Sequence, residues 1–135
     1  MILVDTSVII DSFKGVTNEK VELFRKILKE KRAYGISAYT YQEILQGARD
    51  EHEFMKLKKY ISAIDIYLLP ATIETYEKAA LMVFKLRRQG VTPRSIVDVL
   101  IALTALENNL YLLHNDKDFD VMSGKLTDLN ILNTI

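Results

Sequence analysis

Ile2-Leu3-Val4-Asp5-Thr6-Ser7-Val8-Ile9-Ile10 carries the pattern that decides the fold. Ile2 to Val4 is a continuous apolar run too short for a helix, so it reads as a strand buried on both faces. Asp5-Thr6-Ser7 forms the turn, and Val8-Ile9-Ile10 opens a helix. The same alternation recurs along the chain. Further strands are expected at Ala33 to Ile36, Asp65 to Leu68 (closed by Pro70), Tyr111 to Leu113, and Ile131-Leu132. Between them, Asn18 caps a helix in which Val21, Leu23, Phe24, Ile27 and Leu28 recur at helical spacing. Helices are also expected at Thr40 to Ala48, Glu51 to Ala63, and Thr72 to Arg88. After the break at Gly90 and Pro93 comes Ser95 to Asn108, the most apolar helix and therefore a central one. Short apolar strands alternating with helices predict an α/β protein, with a mainly parallel sheet of about five strands covered on both faces.

A chain of 135 residues is the size of one domain, and residues 1–135 show no repeat, low-complexity stretch or linker. Its 49% hydrophobic and 27% charged content is that of a folded globular protein rather than a disordered one. Eighteen basic and eighteen acidic side chains cancel, so no global field announces a nucleic-acid partner, although a local basic rim remains compatible with one. The absence of cysteine excludes a disulfide framework, a thiolate metal site and a cysteine nucleophile. Two histidines, His52 and His114, are too few for a histidine-based metal site. No apolar run is long enough to span a membrane, and the chain starts directly in a strand without a basic leader, so a cytoplasmic protein is expected.

Four acids stand where apolar stretches begin or end. Asp5 closes the first strand, Glu43 opens Glu43-Ile44-Leu45, Asp98 interrupts Ile96 to Ile101, and Asp116 follows the fourth strand. A carboxylate in such a place costs desolvation energy unless something compensates it. Each also has a plainer reading. Ser95-Ile96-Val97-Asp98 and Thr40-Tyr41-Gln42-Glu43 match the capping box, Asp5 can cap the helix after it, and Asn115-Asp116-Lys117-Asp118 can be turn chemistry. In open α/β sheets, however, ligands bind beyond the carboxyl ends of the strands, where Asp5 and Asp116 both fall. Two carboxylates about 4 Å apart repel by roughly 4 kcal/mol at an effective dielectric near 20. A fold that gathers several needs a cation or shared protons. All-oxygen ligation points to Mg²⁺ or Mn²⁺, and the natural use of that ion is phosphodiester chemistry.

At these residues the chain resembles a PIN-domain ribonuclease of the small, single-domain kind found as VapC-type toxins. The matching pieces are Leu3-Val4-Asp5-Thr6-Ser7, Ser37 to Glu43, Ser95 to Asp98 followed by Leu100-Ile101-Ala102, and Leu113 to Phe119. Four weak motifs in the family's order and spacing make a strong resemblance over essentially the whole length. It implies a three-layer α/β/α fold and Mg²⁺- or Mn²⁺-dependent cleavage of RNA. It also implies a homodimer restrained by a cognate antitoxin. By position, Asp5, Glu43, Asp98 and Asp116 take the metal-binding, catalytic roles, while Ser7 and Asp118 take supporting ones. Asp120 is expected to be exposed. Relatives commonly place a small hydroxyl residue where this chain has His114, which reads as a packed strand-end side chain.

Lys85, Arg87, Arg88 and Arg94 flank the break before the Asp98 helix. They suit RNA phosphates, or equally a solvated helix end complementing its dipole. Tyr39, Tyr41 and Tyr60 suit base stacking, a partner, or the core, and Tyr39 to Ile64 is the candidate segment for an antitoxin or a second protomer. Rival readings are a magnesium-dependent phosphatase, disfavoured because Asp5 lacks the Asp-x-Asp pattern, and a receiver-type domain, which no strand fits. A non-catalytic PIN-like interaction module is a third, but it would not need the acidic quartet.

Overall fold

The structure, a computed structural model, describes residues 1–126 and 128–135. Five strands, β1 (Ile2–Val4), β2 (Tyr34–Ser37), β3 (Asp65–Tyr67), β4 (Tyr111–Leu113) and β5 (Asn130–Ile131), form one sheet in the order β3-β2-β1-β4-β5. Every pairing is parallel. Helices α1 (Thr6–Phe13), α2 (Glu19–Lys29), α3 (Ala38–Gln46), α4 (Glu51–Ile61), α5 (Ile73–Arg88), α6 (Ile96–Glu107) and α7 (Lys117–Ser123) make the connections.

Alternation along the central strands divides the core in two. Ile2 and Val4 of β1, with Leu113 of β4, face Val8, Ile9, Phe24, Ile27 and Ile44 on the helices α1 to α3. Leu3 and Leu112 point the opposite way, into Leu86, Val99, Ile101, Ala102 and Phe119 of α5 to α7. Strands buried on both sides explain the unbroken apolar runs, and the result is the expected three-layer α/β/α fold. Helix α6 buries six of its twelve residues, which accounts for its apolar sequence. Among the described residues no helix is long and apolar enough to cross a membrane.

The helix ends are set by local chemistry. Gly90 (φ +82) and Asn109 (φ +53) take the left-handed conformation just after α5 and α6. The following amides reach back, Val91 N to Leu86 O at 2.8 Å and Leu110 N to Ala105 O at 2.9 Å, as in a Schellman stop. The Asn109 stop feeds α6 into β4.

Strand β2 lies one residue later than the expected Ala33 to Ile36, α7 is not among the expected helices, and two further expectations need correction. Helix α3 begins at Ala38, not Thr40, because Ser37 at the end of β2 is its cap, its Oγ accepting the Thr40 amide at 3.0 Å. Glu43 therefore lies in the second turn of α3 and does not open a helix. The fifth strand is Asn130–Ile131, one residue earlier than the apolar pair; Leu132 is instead buried in the core.

Candidate metal centre

Beginning at β1, the chain adds β2 and β3 on one side, and β4 and β5 lie on the other. The topology therefore switches between β1 and β4, and the carboxyl ends of those two strands open a crevice there. Asp5 leaves β1 with its amide donating to Leu113 O at 2.9 Å and serves as N-cap of α1. Its carboxylate is buried, and Oδ2 accepts from Ser7 N at 3.1 Å and Ser7 Oγ at 2.6 Å. The Ser7 hydroxyl also accepts the Asn115 amide at 3.0 Å, tying the first acid to the loop after β4. Burial raises the Asp5 pKa, and the Ser7 hydrogen bonds partly offset the rise.

Asp116 is the N-cap of α7, its Oδ1 accepting from Asp118 N at 2.9 Å. Asp98 sits in the first turn of α6. Ser95 Oγ takes the Val97 amide at 3.1 Å, and among the described residues no hydrogen bond returns from the Asp98 carboxylate, so the capping box is not closed. Asp98, Asp116 and Asp118 each place one carboxylate oxygen so that all three lie within 4.8 Å of one another. Burial first, then the charges of Asp116, Asp5, Asp118 and Glu43 in that order, push the Asp98 pKa up to about 7. Asp118 thus belongs to the tight group with Asp98 and Asp116, and Asp5 and Glu43 lie near enough for their charges to act on Asp98. The N-termini of α1, α6 and α7 meet there too, and their positive dipole ends favour the accumulated negative charge.

Glu43 is steadied by hydroxyls that the sequence reading did not assign. Thr6 Oγ1 lies 2.7 Å from Glu43 Oε1 and 3.0 Å from Thr40 Oγ1. A hydroxyl has one proton and an ionised carboxylate can only accept, so Thr6 donates to Glu43 and accepts from Thr40. Ser37 Oγ, 3.3 Å from Thr40 Oγ1, completes a buried relay. The only hint in the sequence was Thr40 three residues before Glu43, one helical turn away.

Arg94 stands at the mouth, its Nε 3.6 Å from Asp118 Oδ1 and its side chain 85% exposed. Arg88 lies over the Phe84 ring at 5.6 Å, and among the described residues neither Arg87 nor Arg88 pairs with an acid of the cluster. His114 is buried and Asp120 exposed.

The donor set fits a hard divalent cation: at least three convergent oxygens, no sulfur, and an Asp98 whose ionisation is opposed first by burial and then by its acidic neighbours. Fold and site together define an α/β protein with an acidic, all-oxygen centre at the topological switch point. The PIN domain family model matches residues 2–125, and the chain belongs to that family. It is 32% identical to ribonuclease VapC11 of Mycobacterium tuberculosis over 130 residues, 96% of each chain. It is also 32% identical to ribonuclease VapC51 of the same organism, over 90% of this chain and 85% of that one. Among solved structures, VapBC2 from Rickettsia felis, bound to a DNA fragment from its promoter, shares the fold at a TM-score of 0.74 and 20% identity, covering 98% of both chains.

Proposed function

We propose that this chain is a metal-dependent endoribonuclease that acts as the toxin of a toxin–antitoxin pair. The observation that carries the reading is the convergence of Asp98, Asp116 and Asp118, whose carboxylate oxygens lie within 4.8 Å of one another, with the charges of Asp5 and Glu43 also acting on Asp98. A purely structural role leaves such a concentration of like charge uncompensated. Asp98, Asp116 and Asp118 would hold the ion, with Asp5 and Glu43 bordering it; Mg²⁺ is the expected ion and Mn²⁺ an alternative. When bound, the ion supplies Lewis-acid neutralisation of the phosphodiester and a nucleophile at neutral pH. The protein side chains do the positioning. Ser7 locks Asp5 to the β4–α7 loop, the Thr6–Thr40 relay orients Glu43, and Arg94 is within reach of a phosphate entering the mouth.

The relatives named above are ribonucleases, and another solved structure that shares the fold, from Klebsiella pneumoniae, is a toxin–antitoxin complex. A cognate antitoxin is the corresponding partner here. Helices α3 and α4 pack on each other, and with α1 they border a groove of about 1130 Å³ lined by Ile10, Phe13, Ile44, Leu57 and Tyr60. That groove, within the segment from Tyr39 to Ile64 and α1, is the proposed antitoxin seat; a homodimer is the proposed assembly.

Asp98→Asn keeps size and removes one like charge, so it should fold while cutting RNA at least about a hundredfold more slowly. Chelator should abolish parental cleavage, and Mg²⁺ or Mn²⁺ should restore it. Sequencing the RNA ends after brief induction should reveal 5′-phosphates and 3′-hydroxyls. Cleavage by the Asn variant at the parental rate, or cyclic phosphate products, would refute the assignment.

A further inference from the structure

His114 ends β4 where, by resemblance, a small hydroxyl residue is the commoner choice, and the structure gives this imidazole a specific job. Its Nδ1 lies 3.1 Å from the backbone amide of Asp116, which donates to it. An imidazole nitrogen that accepts carries no proton, so the neutral ring must carry its proton on Nε2. That Nε2 is buried without a hydrogen-bond partner among the described residues, although Asp120 Oδ1 lies 3.3 Å away. The ring is otherwise held by packing, its centroid 5.1 Å from that of Phe119, a fully buried residue of α7. An apolar side chain here would strand no nitrogen, but it would leave the Asp116 amide without this acceptor. What the ring alone supplies is an acceptor aimed at Asp116 N, between the end of β4 and the start of α7.

We infer that His114 is a positioning residue for the metal centre: its Nδ1 fixes the peptide of Asp116, and thereby the Asp116 and Asp118 carboxylates, in the geometry that faces Asp98. The Asp116 amide is held by His114, the Asp118 amide by Asp116 Oδ1, and the Asn115 amide by Ser7 Oγ. Three restraints within four residues therefore set one short turn, and His114 supplies the one that reaches into the core. Asp120, on the solvent side of the ring, brings its carboxylate charge within 3.3 Å of Nε2 without a hydrogen bond, and that charge favours the tautomer in which Nδ1 accepts. Outer-shell partners of this kind tune metal affinity through the ligands they orient.

This inference rests on the metal-centre reading, and the test separates the two. Asparagine places its Oδ1 where Nδ1 stands, whereas glutamine places its polar atoms near Nε2. Mn²⁺ binding by the purified chain is measured calorimetrically for the parent, His114→Asn and His114→Gln, with thermal melting in chelator as the control for packing. The expected result is affinity close to the parent for Asn and roughly ten- to a hundredfold weaker for Gln, with both variants losing similar thermal stability. Gln binding as tightly as the parent, or both variants weakened alike, overturns the positioning role. A parent that does not bind Mn²⁺ refutes the metal-centre reading itself. Should neither variant fold, NMR of the ¹⁵N-labelled parent decides: a coupling across the hydrogen bond between Asp116 N and His114 Nδ1 that changes on adding Mg²⁺ supports the role. No coupling, or one indifferent to Mg²⁺, overturns it.

Discussion

Asp98 resists ionisation because burial and four neighbouring carboxylates both favour its neutral form. Its folded pKa of about 7 lies above the ordinary 3.8, so between those values the folded protein binds a proton that the unfolded chain has released. Metal-free stability from this group is therefore fully present at low pH and lost as pH rises through about 7. His114 acts in the opposite sense. Burial lowers its pKa, so the unfolded chain takes up a proton first as pH falls, and stability declines on the acid side. The two effects overlap in a single melting curve, but a comparison with Asp98→Asn isolates the carboxylate. In chelator, the variant should melt above the parent, by a margin that grows as pH rises from about 4 and levels off beyond about 7. A margin independent of pH, read by circular dichroism, would mean that Asp98 ionises as an ordinary surface acid. Added Mg²⁺ should close the gap by stabilising the parent more, because an ion held by the cluster would favour its ionised form.

Each element was legible where one interaction dominated its sequence. The doubly buried strands and the apolar α6 announced themselves because packing on both sides leaves no room for polar alternation. The start of α3 did not, because Ser37, Thr40 and Glu43 are spaced three apart and present two overlapping capping signals. Only the strand-like backbone of Ser37 (φ −77, ψ 159) decides which is used. The same limit applied at the centre: Asp116, Asp118 and Asp120 fall within five residues, and their sorting depends on α7 starting at Lys117. The Thr6–Thr40 contact spans 34 residues, and no local periodicity encodes it. A tight constraint of the same non-local kind lies between β2 and β3. A Cβ on Gly35 would stand 2.6 Å from the Tyr67 ring and 2.7 Å from Asp65 O. The ring can swing aside, but the carbonyl belongs to the neighbouring strand, so β3 must shift. Gly35→Ala should cost about 1–3 kcal/mol, seen as a lower urea midpoint at an unchanged slope. An unaltered midpoint would show that the edge strand yields freely.

For the molecule as a whole, eighteen positive and eighteen negative side chains leave no net field to draw RNA from a distance. At physiological salt, charges act over about 8 Å, so attraction must come from cations at the mouth itself. Arg94 meets that requirement: its guanidinium lies 3.6 Å from Asp118, at the edge of the cluster, on an 85% exposed side chain free to turn toward a phosphate. Arg88 is drawn instead toward Phe84, by an attraction that competes with phosphate contact. The two arginines should therefore differ, although both end up near the same break in the chain. In an Asp98→Asn background, where RNA is bound but scarcely cut, Arg94→Ala should weaken single-stranded RNA of any sequence by a similar factor. It should also reduce the steepness of log affinity against log salt by about 0.7, the share of one phosphate contact on a single strand. Arg88→Ala should change the slope less. Fluorescence anisotropy over a salt series reads both quantities. An Arg94→Ala variant with the parental slope would mean that phosphates enter past some other part of the rim, and that the Arg94–Asp118 pair is only a surface contact.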